Sequence, residues 1–340
     1  MNALQAITAA GTRIIADTAD FGGKRPFSQR AVLPRSDMTR ADIRRFEPSE
    51  GTTNPSLILA AAKVPTYKHL FSRAKQYLAQ ASPEATGFEL SRAVEYLAVD
   101  FGTEIWRLTG RVSTELDVTL SFDTQGTVDA ALRIVTLYEA NGVPKDGVRI
   151  KIAATWEGVQ AAGVLEHQHG ISVLITVVFG ISQAKLAAEA GVTAIAPYVG
   201  RIGDWHKANG HTESDVGVQR VNAMRRLFAR RGYKTQIMGA SFRNVEQCKA
   251  LAGTDMLTIA PTLLKELQAE KLIEPLQDSC KCLSNSNIDD DVDVSSESAF
   301  RWAYNNDACA VEKSADALRR FAADTEQLKM MLVDGIVVNQ

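Results

Sequence analysis

The stretch that decides the fold lies at residues 148–154, which read Val-Arg-Ile-Lys-Ile-Ala-Ala. This short apolar run is suited to a buried parallel strand, and a helical pattern follows it at once over Thr155–Glu166. A buried strand that leads directly into a helix is the repeating unit of α/β proteins. The flanking sequence is therefore expected to contain further copies of the same unit.

The rest of the chain repeats this alternation of strand and helix. The predicted strands are Arg13–Ala16, a short one ending near Thr53, Val112–Glu115, Val148–Ile152, Ser172–Val178, Ala194–Ala196, Lys234–Gly239 and Met256–Ile259. The predicted helices are Ser56–Lys63, Gly87–Leu108, Thr127–Asn141, Thr155–Glu166, Gln183–Ala190, Gly217–Arg231 and Asn244–Leu251. This pattern over about 250 residues favours a single α/β domain with a (β/α)8 TIM barrel. A doubly wound open sheet is the alternative, but the glycine-rich phosphate loop expected after an early strand is missing.

Composition excludes several classes of protein. The 340 residues carry 38 Lys and Arg against 40 Asp and Glu, so the net charge of −2 argues against a globally basic nucleic-acid binder. No apolar run is long enough to predict a membrane span, and the first residues do not resemble a secretory signal. Four cysteines are too few for a disulfide scaffold. We therefore expect free thiols in the cytoplasm, and no zinc site at the isolated Cys280-Lys281-Cys282.

Three segments stand apart from the alternation within the single predicted domain, 1–340. Residues 22–42 form a basic, irregular insertion, which we interpret either as part of a lid or binding pocket at the barrel mouth or as a surface or oligomer contact. Residues 277–298 are rich in Ser and Asp and predict a polar surface loop rather than a calcium loop. Residues 299–335 predict additional C-terminal helices that cover part of the barrel mouth.

The most informative residue is Lys151, in the middle of the deciding strand. Strand alternation places Arg149, Lys151 and Ala153 on one face. A lysine in such a run must point into the barrel or pair with a carboxylate, and burial favours the neutral amine that attacks carbonyl carbons. The sequence therefore offers Lys151 as a Schiff-base lysine. A structural ion pair or a strand-end lysine that faces solvent remains the alternative.

Polar residues also stand at the ends of other predicted strands, where the active sites of barrels lie. Asp17 and Glu115 each close a strand, and two carboxyls beside an amine supply the proton transfers of imine chemistry. Each is also compatible with a helix-capping or surface role. Asn54 precedes a proline that opens a helix, where an ordinary N-cap is the alternative.

Candidates for phosphate binding follow the sixth and seventh strands. Arg201 comes after Pro197-Tyr198-Val199-Gly200, and Arg243 comes two residues after Ser241. Guanidinium groups, a hydroxyl and a helix N-terminus suit a phosphate monoester. For each arginine alone, a surface salt bridge is the alternative interpretation.

Several motifs in this order resemble the transaldolase family over about residues 13–331. They are Ala16-Asp17-Thr18-Ala19-Asp20, Thr52-Thr53-Asn54-Pro55-Ser56, Gly110-Arg111-Val112-Ser113-Thr114-Glu115, Ile150-Lys151-Ile152-Ala153-Ala154-Thr155-Trp156, Pro197-Tyr198-Val199-Gly200-Arg201, Met238-Gly239-Ala240-Ser241-Phe242-Arg243-Asn244 and Leu257-Thr258-Ile259-Ala260-Pro261. The resemblance implies a class I aldolase-like barrel with no metal and no organic cofactor. It implies transfer of a dihydroxyacetone unit from sedoheptulose 7-phosphate or fructose 6-phosphate to glyceraldehyde 3-phosphate or erythrose 4-phosphate, in the pentose phosphate pathway. It also suggests a homodimer, since members of the family are often homodimers.

The resemblance also implies roles for individual residues. Lys151 forms the imine, Asp17 moves the proton of the donor's C4 hydroxyl, and Glu115 with Thr176 holds the water used in imine formation. Thr176 rests on the resemblance alone. Among the substrate-binding residues, Asn54 contacts the dihydroxyacetone moiety. The substrate phosphate is assigned to Arg201, Ser241 and Arg243.

Three positions depart from the family pattern. Leu174 and Ala196 stand where an Asn and a Ser are usual, and Tyr198, in the substrate site, stands where transaldolases usually have Phe. Tyr at that place resembles the fructose-6-phosphate aldolases, and the loss of two hydrogen-bonding groups weakens discrimination for a hydroxylated donor. The alternative function is therefore a transaldolase-like aldolase, or a specialised transferase with a different donor or acceptor.

Overall fold

Eight parallel strands close into a barrel in the computed structural model of the chain. The structure describes residues 1–19, 46, 48–81, 87–211, 215–272, 274, 276 and 292–337, with side chains as far as residue 333. The strands are β1 Arg13–Asp17, β2 Gly51–Thr52, β3 Val112–Glu115, β4 Val148–Ala153, β5 Val173–Val178, β6 Ala194–Pro197, β7 Gln236–Gly239 and β8 Met256–Ile259. Each strand pairs with its sequence neighbours, and β8 closes on β1. The predicted TIM barrel is confirmed.

Helices alternate with the strands and surround the barrel. They are α1 Ala3–Ala9, α2 Pro55–Ala62, α3 Ser72–Ala81, α4 Gly87–Thr109, α5 Thr124–Ala140, α6 Trp156–His169, α7 Ile181–Glu189, α8 Val199–Ala208, α9 Val216–Arg231, α10 Val245–Ala250, α11 Pro261–Ala269, α12 Glu297–Asn305 and α13 Ala308–Val337. Several begin at side-chain N-caps, such as Asn54 before α2 and Thr155 before α6. The C-terminal helices of the prediction are present as α12 and α13.

Helix α8 was missed in the sequence because two glycines within it lower its helix propensity. The backbone at the first of them, Gly200, approaches the chain after β7, and the Gly200 N–H donates to Ser241 O over 3.1 Å. A Cβ at this position would lie 2.4 Å from Ser241 O. Glycine is therefore required here so that Arg201 and Ser241 can share one rim of the barrel.

Two of the segments singled out in the sequence fall partly or wholly outside the described residues. The basic insertion at residues 22–42 lies outside them, as do residues 277–291 of the polar segment. The remainder of that polar segment does not behave as a surface loop throughout. Val294 is only 3% exposed and joins the core, and α12 already begins at Glu297. The surface-loop prediction was therefore too long at its C-terminal end.

The lower interior of the barrel is closed by a buried ion pair. Arg149 Nη1 lies 3.0 Å from Glu50 Oε2, and both side chains are at most 2% exposed. Ser113 donates its hydroxyl to the other carboxylate oxygen, and Arg149 Nε donates to Ser172 Oγ over 3.3 Å. Burial lowers the pKa of Arg149, and the charge of Glu50 opposes this. This ion pair belongs to Arg149, two residues before Lys151 on the same strand.

We predict that Glu50→Gln lowers the free energy of unfolding by about 3–5 kcal/mol, because it leaves a buried guanidinium without a countercharge. Denaturant titration followed by circular dichroism measures the change. The double variant Glu50→Gln/Arg149→Met removes both charges and is expected to recover part of the loss. If the double variant is no more stable than Glu50→Gln alone, the ion-pair explanation is wrong.

Candidate active site

A cavity of about 150 Å³ opens at the carboxyl ends of the strands. Its lining consists of Asp17, Thr52, Asn54, Lys151, Leu174, Thr176, Ala196, Tyr198, Arg201, Met238, Ala240, Ser241, Thr258 and Phe321. Seven of the nine residues singled out in the sequence are among them. The two others, Glu115 and Arg243, lie next to this lining, and each contacts one member of it.

Lys151 occupies the centre of the candidate site. The strand register sets it beside Glu115 on β3 and Leu174 on β5. Its Nζ lies 3.1 Å from Glu115 Oε2 and donates to Thr53 O over 2.8 Å. The side chain is only 6% exposed, so these two partners replace water around the ammonium group.

The charge state of Lys151 differs from the sequence-based expectation. Burial by itself disfavours the ammonium form, but the negative charges of Glu115 and Asp17 outweigh it and raise the pKa of Lys151. Sequence reasoning weighed burial alone and predicted a neutral amine. The structure brings two carboxyl groups close to the amine, and their negative charge favours the ammonium form. Its proton must leave before the nitrogen can attack a carbonyl carbon.

Asp17 faces the same cavity from the end of β1. The Thr52 hydroxyl donates to Asp17 Oδ1 over 3.0 Å and itself lies 2.9 Å from the hydroxyl of Thr258. Burial raises the pKa of Asp17, while Lys151 and the hydrogen bond from Thr52 lower it. The result is a raised pKa, which is typical of a carboxyl group that exchanges a proton near neutral pH.

Glu115 lies beside the amine rather than in the main cavity. Burial raises the pKa of Glu115, and the neighbouring Lys151 opposes this effect. Its Oε1 atom is buried and has no hydrogen-bond partner among the described residues. A free acceptor oxygen next to the amine can hold a small polar molecule that reacts there.

Thr176, on β5, and Tyr198, directly after β6, form a hydroxyl pair. Their oxygens are 3.1 Å apart, and both residues line the cavity. Burial, followed by the charge of Glu115, raises the pKa of Tyr198 to about 12. The ring of Phe179 packs edge-on against the tyrosine ring at 5.5 Å between centroids. The phenol is therefore neutral at physiological pH and can donate a hydrogen bond into the cavity.

The three phosphate candidates gather at one rim but are not equally free. Arg201 packs against the rings of Tyr198 and Phe321, with its Cζ 5.4 and 6.0 Å from the centroids. Its buried Nη1 has no hydrogen-bond partner among the described residues. Arg243 lies outside the cavity lining and donates to Asp204 Oδ2 from Nε and Nη2, at 2.9 and 2.8 Å. Its Nη1 also lies 3.3 Å from Ser241 Oγ, so a ligand at Ser241 would be within reach of Arg243.

Asn54 combines the two roles that the sequence left open. Its Oδ1 accepts from Leu57 N over 2.9 Å and caps α2, and the residue also lines the cavity. Because the carboxamide oxygen is occupied by the cap, the carboxamide NH2 is the group that remains for a ligand.

Sequence reasoning missed several lining residues. Phe321 reaches the cavity from α13, far along the chain from the strands. Thr52 and Thr258 lie within strands, where a single threonine carries no functional signal by itself. Thr52 pairs with Asp17 in the register of β1 with β2, and this pairing is visible only once the strands are placed side by side.

One wall of the cavity is apolar. Leu174, Ala196, Met238 and Ala240 come from β5, β6, β7 and the residue after β7, and each is at most 5% exposed. The opposite wall carries Asp17, Thr52, Asn54 and Thr258. A ligand held at Lys151 therefore finds no side-chain hydrogen-bond partner at the four apolar positions.

Comparison with known proteins places these features in a family. A family model described as transaldolase/fructose-6-phosphate aldolase matches residues 37–332. The chain is 44% identical over 333 residues to a transaldolase of Kluyveromyces lactis, covering 95% of this chain and 92% of that one. It is 42% identical over 331 residues to a transaldolase of Homo sapiens, covering 95% and 91%, and 42% identical over 330 residues to a probable transaldolase of Drosophila melanogaster, covering 94% and 92%. The chain belongs to the transaldolase/fructose-6-phosphate aldolase family.

Proposed function

We propose that this protein is a transaldolase that transfers a dihydroxyacetone unit between sugar phosphates through a Schiff base on Lys151. The observation that carries the proposal is the buried amine of Lys151 with Glu115 Oε2 at 3.1 Å and Asp17 on the same cavity. The likeness to transaldolases over 95% of the chain supports the reaction class. Sedoheptulose 7-phosphate and fructose 6-phosphate are the proposed donors, and glyceraldehyde 3-phosphate and erythrose 4-phosphate are the proposed acceptors.

In the first stage, Lys151 Nζ gives up a proton and attacks the C2 carbonyl of the ketose. Glu115 lies against the amine and accepts this proton, and its raised pKa makes the transfer accessible near neutral pH. Glu115 then returns this proton to the C2 hydroxyl of the carbinolamine, which leaves as water and gives the protonated imine. The Oε1 atom of Glu115, which has no hydrogen-bond partner in the described part of the chain, and the hydroxyl of Thr176 would hold this water.

In the second stage, Asp17 takes the proton of the C4 hydroxyl, and the C3–C4 bond breaks. The C4 oxygen becomes the aldehyde of the released aldose, and the bonding electrons move to C3 and the imine, which becomes an enamine. The enamine attacks the aldehyde carbon of the acceptor in the reverse step, and Asp17 returns its proton to the new hydroxyl. Hydrolysis of the imine then frees the product and Lys151.

The rim supplies the charge that a phosphate needs. Arg201 offers an Nη1 atom that has no partner in the part of the chain that the structure describes, and Ser241 offers a hydroxyl. Arg243 is already oriented by Asp204 and Ser241, so a phosphate bound at Ser241 would gain a second guanidinium.

Sodium borohydride in the presence of fructose 6-phosphate tests the proposal directly. We expect a reduced three-carbon adduct on the peptide that contains Lys151, found by mass spectrometry, and none in Lys151→Met. Circular dichroism of the variant checks that it folds. The proposal fails if a folded wild-type protein incubated with donor and acceptor yields neither adduct nor product.

The raised pKa of Asp17 predicts the acid side of the pH profile. Because Asp17 must be ionised to take the C4 proton, kcat/KM is expected to fall as pH drops through a pKa above the ordinary value of about 4. Thr52→Val removes a hydrogen bond that favours the carboxylate, so the acid limb should move to higher pH by about one unit, at about 1.5 kcal/mol for such a bond. Thr258→Val keeps this bond and should shift the limb less. Equal shifts in both variants would contradict the assignment of the limb to Asp17.

The apolar wall favours a second candidate function, a transaldolase-like aldolase or a transferase with a different donor. The side chains of Leu174 and Ala196 offer no hydrogen-bond partner to a hydroxylated three-carbon unit, and Tyr198 adds a neutral phenol to the same cavity. Release of free dihydroxyacetone from fructose 6-phosphate without an aldose acceptor would identify the aldolase.

A substitution on this wall separates the two functions. Leu174→Asn adds one hydrogen-bonding group, and for a hydroxylated donor kcat/KM with fructose 6-phosphate should rise by up to about tenfold, the equivalent of one hydrogen bond. Leu174→Met keeps the wall apolar and serves as the control for packing. If kcat/KM falls in a folded Leu174→Asn variant but not in Leu174→Met, the result favours a donor that has no hydroxyl at this wall.

We further propose that the protein acts in the cytoplasm as a homodimer. Cys248 and Cys309 are unpaired and buried, as expected of a reducing compartment. Among the described residues no helix is both long and apolar enough to cross a membrane. Sedimentation equilibrium measures the oligomeric state.

A further inference from the structure

Strand β5, which carries Thr176, breaks its own alternation just after that residue. Val177 has a φ of +60°, a left-handed conformation that β-branched residues rarely adopt. The pairing of β5 with β6 shifts register between Ile175 and Val178. The pairing of β5 with β6 is therefore irregular at Val177. A β-branched residue in a left-handed conformation costs conformational free energy, so its surroundings must hold it in place.

The irregularity changes which side chains of β5 pack on each side of the strand. Leu174, Val177 and Phe179 pack in the cluster that includes Tyr198 and Phe321. Val173, Ile175 and Val178 pack in the core cluster that includes the surrounding helices. Thr176 lines the cavity, and the next residue, Val177, packs in the cluster of Tyr198 and Phe321 rather than in the outer one. The backbone that carries the Thr176 hydroxyl therefore runs directly into the bulge.

A single side chain, that of Gln183 on α7, bonds the backbone groups around this bulge. It is 1% exposed. Its Oε1 accepts from the N–H groups of Phe179 and Gly180, at 2.9 and 3.0 Å. Its Nε2 donates to Val177 O and to Ala154 O, both at 3.1 Å.

The same amide links the bulge to two other parts of the site. Ala154 lies three residues after Lys151, immediately past the end of β4. Gln183 Nε2 also lies 3.3 Å from the hydroxyl of Ser314 on α13, the helix that carries Phe321 seven residues later. One side chain therefore joins the strand of the amine, the strand of Thr176 and the covering helix.

We infer that Gln183 is a positioning residue, which holds the Thr176 hydroxyl in place for imine formation and hydrolysis by fixing the left-handed Val177. The inference rests on the proposed function. Gln183 does not line the cavity, so its effect on the reaction must pass through Thr176 and its neighbours. A displacement of about 1 Å at a group that takes part in the reaction can lower the rate about 100-fold.

The test is a double-mutant cycle of Gln183→Met with Thr176→Val. We expect Gln183→Met to lower kcat up to about 100-fold with little change in KM for fructose 6-phosphate, because the phosphate rim is untouched. In the double variant the loss should be no greater than in Thr176→Val alone, since both changes remove the same hydroxyl from its place. Independent, multiplying losses would overturn the inference.

Glu166→Met is the matched control. Glu166 Oε1 accepts from the N–H groups of Val173 and Thr193, at 2.8 and 2.7 Å, at the opposite end of β5. Its loss should lower the melting temperature by a similar amount and leave kcat unchanged. If Glu166→Met lowers kcat as much as Gln183→Met, the effect is one of general stability and the inference is wrong.

A second variant covers the case in which Gln183→Met does not fold. Gln183→Glu keeps the shape and the acceptor for Phe179 and Gly180, and loses the donors to Val177 O and Ala154 O. The same fall in kcat and the same lack of additivity with Thr176→Val are expected. Wild-type borohydride trapping on Lys151 is run in parallel. Its failure refutes the proposed function, whereas additive losses in an active wild type refute only the role of Gln183.

Discussion

The site depends on one electrostatic constraint, an ammonium group buried with two carboxyl groups. The side chain of Lys151 is only 6% exposed, and Glu115 at 3.1 Å supplies a countercharge in place of water. The charge of Lys151 in turn favours the ionised forms of both carboxyl groups. Burial raises the pKa of both acids, and their charges raise the pKa of the amine. Three groups with interdependent pKa values can pass a proton among themselves at little cost, which imine chemistry requires at each of its stages.

The barrel makes this arrangement possible by separating two ion pairs along one strand. Arg149 and Lys151 point to the same interior because they are two residues apart on β4. Arg149 is closed off by Glu50 and two serine hydroxyls, whereas Lys151 opens onto a cavity. The lower pair stabilises the fold only when complete, and the upper pair keeps an acceptor atom, Glu115 Oε1, without a hydrogen bond from the described residues. The difference in hydrogen bonding separates a structural pair from a reactive one.

The parts of the molecule that the sequence predicted are those with local signals. β3 and β8 begin and end where predicted, and for β8 the signal is a short, mostly apolar run of the kind that marks a buried strand. Asp17, Glu115 and Lys151 could be found because charged residues within or at the end of a buried strand are unusual. The direction in which the pKa of Lys151 shifts could not be predicted, since it depends on the distance to carboxyl groups on other strands. Phe321 and the bulge at Val177 could not either, because both arise from packing between distant segments.

The covering helix α13 is tied to the barrel at points close to the reactive groups. Ser314 meets Gln183 behind β5, and Asp324 accepts a hydrogen bond from Ser56, two residues after Asn54. Between these two points, Phe321 packs against Arg201 and completes the cavity. A helix that is held on both sides of Phe321 can keep this ring against a guanidinium group, and the contact uses none of the hydrogen-bond donors of that group. The contact thus keeps Arg201 Nη1 buried yet unpartnered among the described residues, which is the state in which it can bind an anion most strongly.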